Sequence, residues 1–283
     1  GSNHAMAEDA AYFSGILAFL PKSTWHLWFL YYLIFFTISS VLLALVFKKL
    51  PIVSIKISQA FNWVFQKPIL RVFVFAGMTG VVFLIIGDSS ITLSNSFIPD
   101  INFFIFYFSF YMVGWVLFKS KQLLTGFKQL DWMCTVLAFA LFAIGVAIGP
   151  LKLIDIKPYQ DIANVLVQSL VIWLFIFGIT GLFIRYASNH SARMRYISDA
   201  SYWVYLVHYT LTIYIAPLLI GWNLHATIKF TTVMISTTII SFATYHYFVR
   251  STFIGKFLNG RKYTRRLSDI KKAEESARLK PLL

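Results

Sequence analysis

Three histidines lie inside or at the edge of long apolar runs: His26 in TWHLWFLYYL, His208 in SYWVYLVHYTL and His246 in TYHYF. An ionisable side chain is costly in hydrocarbon, so these are the first candidates for function. Near neutral pH an imidazole can take or give a proton, and tyrosines stand close to all three. General acid–base work is therefore the chemistry they could do. Tyr205, three residues before His208, shares its helix face. Each histidine also has a plainer reading. His26 sits between Trp25 and Trp28 and could belong to an interfacial aromatic belt; His208 could be a neutral ring hydrogen-bonded across a helix interface; His246 lies near the end of its run, where headgroups lie. Alone, the three rings name no reaction.

Other chemistries lack their residues. The chain has no G-x-S-x-G, no H-E-x-x-H, no C-x-x-C and no phosphate-binding glycine loop. No metal site is expected. Cys134 is the single cysteine, so no intrachain disulfide can form, and its place in an apolar run suits packing. The runs hold no pair of carboxylates, which weighs against a proton-coupled pump.

The elements that must hold these histidines follow from composition. Of the 283 residues, 58% are hydrophobic and only 13% charged, where a soluble domain carries about 25% charged residues. A hydrocarbon core of about 30 Å is crossed by about 20 helical residues. Runs at 25–47, 70–87, 101–118, 132–149, 162–184, 202–221 and 226–249 meet that length closely. The fold class expected is all-α: a polytopic membrane bundle of about seven transmembrane helices over 25–249. Gly77, Gly80, Gly114 and Gly145 would let neighbouring backbones approach. Residues 1–24 read as an arm in which 9–20 form a short interfacial helix ended by Pro21, and 250–283 as a basic tail. The segment 50–69 mixes Ile52, Ile55, Phe61, Trp63 and Phe65 with Lys56, Gln59 and Lys67, which suits an amphipathic helix on an anionic leaflet.

Charge sets the orientation. Of the 25 Lys and Arg, only Lys22, Lys152, Lys157 and Lys229 fall on one side of alternating connections; all others fall on the opposite side. By the positive-inside rule the N-terminus faces outward and the C-terminus is cytoplasmic. The net charge of +14 is thereby explained by topology, and nucleic acid is not expected as a partner.

The strings HLWFLYYLIFF (26–36) and ISDASYWVYLVHYTLTIYIAPL (197–218) resemble the acyltransferase family 3 membrane proteins, nearest to members similar to glucan biosynthesis protein C. FYFSFYMVGWVLFKS (106–120) looks like that family's intermediate F-x-x-G span. The resemblance implies a bundle in the bacterial inner membrane. It implies transfer of an acyl group, such as acetyl or succinyl, from a cytoplasmic thioester such as acyl-coenzyme A to a hydroxyl of a periplasmic or cell-surface glycan, with no bound cofactor. It covers the family's later two-thirds; the family's first span carries an arginine and, about ten residues on, a histidine taken as the base, and nothing here matches that pair. The chain is thus expected to lack the family's N-terminal spans, and with them the base. By resemblance His26 and Trp28 fall in the acceptor-side motif, and Tyr202, Tyr205 and His208 in the donor-side one. Straight helices would set His26 and His208 roughly 20 Å apart along the membrane normal, too far to share a proton. Two other readings stand beside this one: a transporter or flippase whose sugar or lipid path the same residues line, and a non-catalytic scaffold.

The charge count predicts that alkaline phosphatase fused after residue 93 is active in intact bacterial cells, and that the same reporter fused after residue 190 is silent. The reverse pattern would invert the orientation.

Overall fold

The structure, a computed structural model, describes residues 23–87, 91–93, 96–148, 157–189 and 191–260. The expected helix over 9–20 and the tail beyond 260 lie outside these residues. A 3-10 turn, Trp25–Leu27, leads into α1 (Trp28–Lys49), followed by α2 (Pro51–Phe65), α3 (Pro68–Ile86) and α4 (Ile101–Lys119). A 3-10 stretch, Lys121–Gln129, enters α5 (Asp131–Ile148), and α6 spans Lys157–Tyr186. Then come α7 (Ala192–Leu218), α8 (Ala226–Thr244), a π turn at Tyr245–Val249 and α9 (Phe253–Asn259).

Among the described residues there is no strand, only an isolated bridge between Ser23 and Ser96, so the fold is an all-α membrane bundle. Among the described residues a helix covers most of each of the seven expected runs. Five helical segments among the described residues are by themselves long and apolar enough to cross a bilayer: Trp25–Lys49, Pro68–Ile86, Ile101–Lys119, Asp161–Tyr186 and Ala226–Val249. The stretch Lys121–Gln129 with Asp131–Ala147 counts as a sixth if the pair, bent by 66°, is one broken span. The expected run 202–221 falls mostly in α7, whose Arg193, Arg195, Asp199 and His208 make it more polar than the others.

Local chemistry explains the breaks. Pro51 and Pro68 open α2 and α3 at the position where a missing N–H costs nothing. The Asp100 carboxylate accepts from the Phe103 N–H at 2.9 Å and caps α4. Gly87 closes α3 with φ 77°, a left-handed conformation that suits glycine.

By its contacts the chain divides after Ser188 into two compact units. In the first, Trp173 of α6 is 2% exposed and stacks on Phe75 of α3 at 4.8 Å and on Phe110 of α4 at 5.4 Å. Its indole N–H donates to the Thr79 hydroxyl at 2.7 Å, satisfying a donor that hydrocarbon cannot. Lipid tails are as apolar as leucine, so helix association depends on close packing and internal polar bonds. Gly178 and Gly181 supply the close packing. A Cβ at Gly181 would lie 2.6 Å from both Asp131 Cβ and the Phe127 carbonyl oxygen, and one at Gly178 would lie 2.6 Å from the Thr135 backbone nitrogen. The seam ends in an ion pair: Arg185 Nε donates to Asp131 Oδ2 at 2.5 Å and Nη2 to Oδ1 at 3.0 Å, while Nη2 also meets the Lys128 carbonyl.

The second unit is a helical hairpin of α7 and α8 with a buried core of Ala200, Tyr245 and Val249. The indole N–H of Trp203 donates to the Thr244 hydroxyl at 3.0 Å, and Asn259 of α9 donates to the Tyr245 hydroxyl at 3.1 Å.

Gly181→Ala should cost about 1–3 kcal/mol of stability, because backbone and not a flexible side chain blocks the new methyl. Gly77→Ala, with nothing within 4 Å, should be neutral or slightly stabilising. Thermal midpoints of the two variants in the same detergent check the contrast.

Candidate functional site

The expected site residues fall into both units, His26 and Trp28 in the first and Tyr202, Tyr205 and His208 in the second. At the start of α1, His26 lies in the 3-10 turn and is half-buried. Trp25 before it has φ 50°, a left-handed value unusual for a bulky side chain, so the chain turns sharply as it enters the helix. Trp28 packs edge-on against Phe103 at 5.4 Å and tilts against Tyr107 at 6.2 Å, both from α4. Two tyrosines a turn later tie down the connection before α4. Tyr31 donates to the Phe97 carbonyl at 2.6 Å, and the Tyr32 hydroxyl accepts from the Asp100 N–H at 2.9 Å. The result is an aromatic cluster at the head of α1, in which Trp28 and Tyr31 pack around the buried Tyr32 and Phe103.

In the second unit, His208 sits half-buried in α7 with its ring 5.9 Å from that of Tyr205, at an interplanar angle of 37°. Nδ1 of His208 lies 2.8 Å from the Tyr205 carbonyl oxygen and 3.1 Å from that of Val204. A carbonyl only accepts, so Nδ1 carries the hydrogen, and in the neutral ring Nε2 is the nitrogen able to take a proton. Tyr202 is 56% exposed, at 120° around the helix from His208 by the 3.6-residue period.

A cavity of about 250 Å³ opens in this unit, lined by Trp203, Leu206, Val207, Thr210, Leu211 and Thr244. Its α7 residues form one helical stripe centred nearly opposite Tyr205, so the cavity and the Tyr205–His208 pair occupy different sides of α7.

His246 has partners far from His208. Its Nδ1 lies 3.2 Å from the Tyr196 hydroxyl. The Arg250 guanidinium sits over the Tyr196 ring at 4.7 Å. Tyr196 precedes His208 by twelve residues, about 18 Å of helical rise, so packing α7 on α8 does not unite the two histidines. Burial pushes the Tyr196 phenol above its ordinary value against the lowering effect of Arg250. The phenol stays protonated and able to donate.

Sequence reasoning passed over Tyr196 and Arg250, and no spacing rule ties either to His246. It also gave Arg71, at the head of the run 70–87, no role of its own; Arg71 lies in the first turn of α3 and is 1% exposed. A lone cation at the head of an apolar run was the available signal. Among the described residues no group of three or more His, Cys, Asp or Glu could hold a metal ion.

A family model described as an acyltransferase domain, of the acyltransferase 3 type, matches residues 5–246. No curated protein and no solved structure matches the chain.

Tyr32→Phe removes the acceptor of the part-buried Asp100 N–H and should cost about 0.5–1.5 kcal/mol. Limited proteolysis in detergent should then cut within 91–100 sooner than in the parent chain.

Proposed function

The chain belongs to the acyltransferase family 3 of membrane proteins and carries a membrane acyltransferase domain; from that premise we propose an O-acyltransferase that moves acetyl or succinyl from a cytoplasmic thioester to a hydroxyl of an extracytoplasmic glycan. The observation that carries the reading is the state of His208. With Nδ1 held by the Tyr205 and Val204 carbonyls, the ring is fixed in orientation and tautomer, and Tyr205 stands on the same face. A fixed tautomer is what a general base or acid requires.

The chemistry balances without a metal. The glycan hydroxyl gives its proton to a base as its oxygen attacks the thioester carbonyl carbon. N–H and O–H donors stabilise the tetrahedral oxyanion, the C–S bond breaks, and the thiolate takes up a proton. In this proposal His208, Tyr205 and Tyr202 serve the donor side, and His26 and Trp28 the acceptor side. The likeness to glucan biosynthesis protein C supports a periplasmic glucan as acceptor, a bacterial inner-membrane location and membrane lipid as the surrounding partner. The alternation of Lys and Arg supports an outward N-terminus and a cytoplasmic C-terminus. A transport path for sugar or lipid has no support from the family match.

The reaction is tested by transfer of radiolabelled acetyl and succinyl from coenzyme A to periplasmic glucan in membranes. The chain is compared with one joined to a family N-terminal region, which supplies the arginine and histidine that nothing here matches. Transfer by either form supports the reading, and transfer by neither, with both correctly inserted, overturns it. In the active form His208→Ala should lower the rate by about 10²- to 10⁴-fold, the usual contribution of a positioned proton-transfer group. An undiminished rate would remove His208 from the mechanism.

A further inference from the structure

The first unit buries a cation that its own residues do not satisfy. Arg71 is 1% exposed, and its Nη1 donates to the Gly126 carbonyl at 3.1 Å. Its Nε and Nη2 are buried and have no hydrogen-bond partner. These two nitrogens are not an arbitrary pair. Their N–H bonds run parallel along one edge of the guanidinium, the fork that takes two oxygens of a phosphate or carboxylate at once. Three rings wall the group: Phe177 at 5.1 Å, Phe127 at 5.2 Å and Phe65 at 6.0 Å from the guanidinium carbon.

A carboxylate could have met this charge, but the Asp131 carboxylate at the head of α5 is engaged elsewhere. Asp131 is held by two nitrogens of Arg185 and by the Trp132 N–H at 2.8 Å, and Arg185–Asp131 is the sole ion pair among the described residues. Ring faces attract a cation, but they accept no N–H bond in the plane of the guanidinium, where the fork points. A buried donor without an acceptor costs free energy, more so when it is charged.

We propose that the Nε/Nη2 fork of Arg71 is a binding site for a phosphate oxyanion at the head of α3. The first turn of α3 follows the Lys-bearing connection that the charge count assigns to the cytoplasmic side, the level of lipid headgroups and of soluble phosphorylated molecules. Phosphate suits the fork's spacing and the surplus of basic residues there. The 3-10 stretch Lys121–Gln129 packs against the guanidinium through the Gly126 carbonyl at Nη1 and the Phe127 ring. Nine residues exceed the three or four that 3-10 geometry usually sustains, so this stretch is the part that gives way to admit the ligand. The site stands whether or not the chain transfers an acyl group.

The test is ligand-dependent stabilisation of the full chain, purified in a maltoside detergent that contributes no phosphate. Inorganic phosphate is titrated in one arm and short-chain phosphatidic acid in the other, at constant ionic strength. At saturation one of them should raise the thermal midpoint by roughly 5 °C, and the arm that responds identifies the source as soluble or lipidic. Arg71→Met, which keeps length and loses the fork, should abolish the shift. Arg71→Lys keeps the charge without the parallel donors and should weaken binding at least about tenfold, which keeps the test decisive if the methionine variant fails to fold. No shift with either ligand, or the same shift and affinity in both variants as in the parent chain, would overturn the site and leave the three rings and the Gly126 carbonyl as the environment of the charge.

Discussion

The contact of α6 with α5 at Gly178 and Gly181 is the constraint from which the first unit is built. In lipid, burying an apolar side chain between helices gains little over leaving it against acyl tails, so association rests on dispersion at close range and on polar bonds shielded from water. Two glycines a turn apart let the α6 backbone come within van der Waals reach of Thr135, Asp131 and Phe127. At that separation Arg185 meets Asp131, and the ion pair fixes where the 3-10 stretch ends and α5 begins. On the same helix Trp173 then fits against Phe75 and Phe110 and finds Thr79 as an acceptor.

The second unit solves the same problem with hydroxyls and backbone carbonyls. Trp203 bonds Thr244 across the hairpin, and Thr244 also donates to carbonyls of its own helix, so one small side chain satisfies both. His208 is handled within its own turn. Its Nδ1 is tied to carbonyls three and four residues back, which holds the ring in place and puts the hydrogen on that nitrogen. A π turn follows α8 at Tyr245–Val249, a geometry that often accompanies functional positions. It carries His246, whose Nδ1 faces Tyr196.

The two buried arginines of the membrane units illustrate how differently hydrocarbon treats charge. Arg250 is 6% exposed and lies over the Tyr196 ring near the end of its hairpin. Arg71 lies among three phenylalanines with one carbonyl and an open fork. Arg185, by contrast, keeps 40% of its side chain exposed and still takes the only carboxylate bridge among the described residues. The acid goes to the arginine across the glycine seam, and Arg71 is left to the rings and to whatever anion reaches it.

By itself the sequence determined the class of fold and the elements. Apolar runs of bilayer length, prolines at the openings of α2 and α3 and an aspartate capping α4 are local signals, because helix formation in lipid depends on the segment's own composition and backbone bonds. The family was legible too, in HLWFL and SYWVYLVH, and the match over residues 5–246 bears it out. The bend before α5 was hidden, since Lys121–Gln129 belongs to a connection whose path Arg185 sets from 54 residues away. Which groups meet was equally beyond reach: His246 with Tyr196, the cavity on the far side of α7 from Tyr205, and Arg71 buried in the first unit among three phenylalanines. Helical period assigns a residue to a face, but what that face touches depends on how closely two helices approach. That distance is set by glycines and polar bonds on distant segments, and only the tertiary structure holds it.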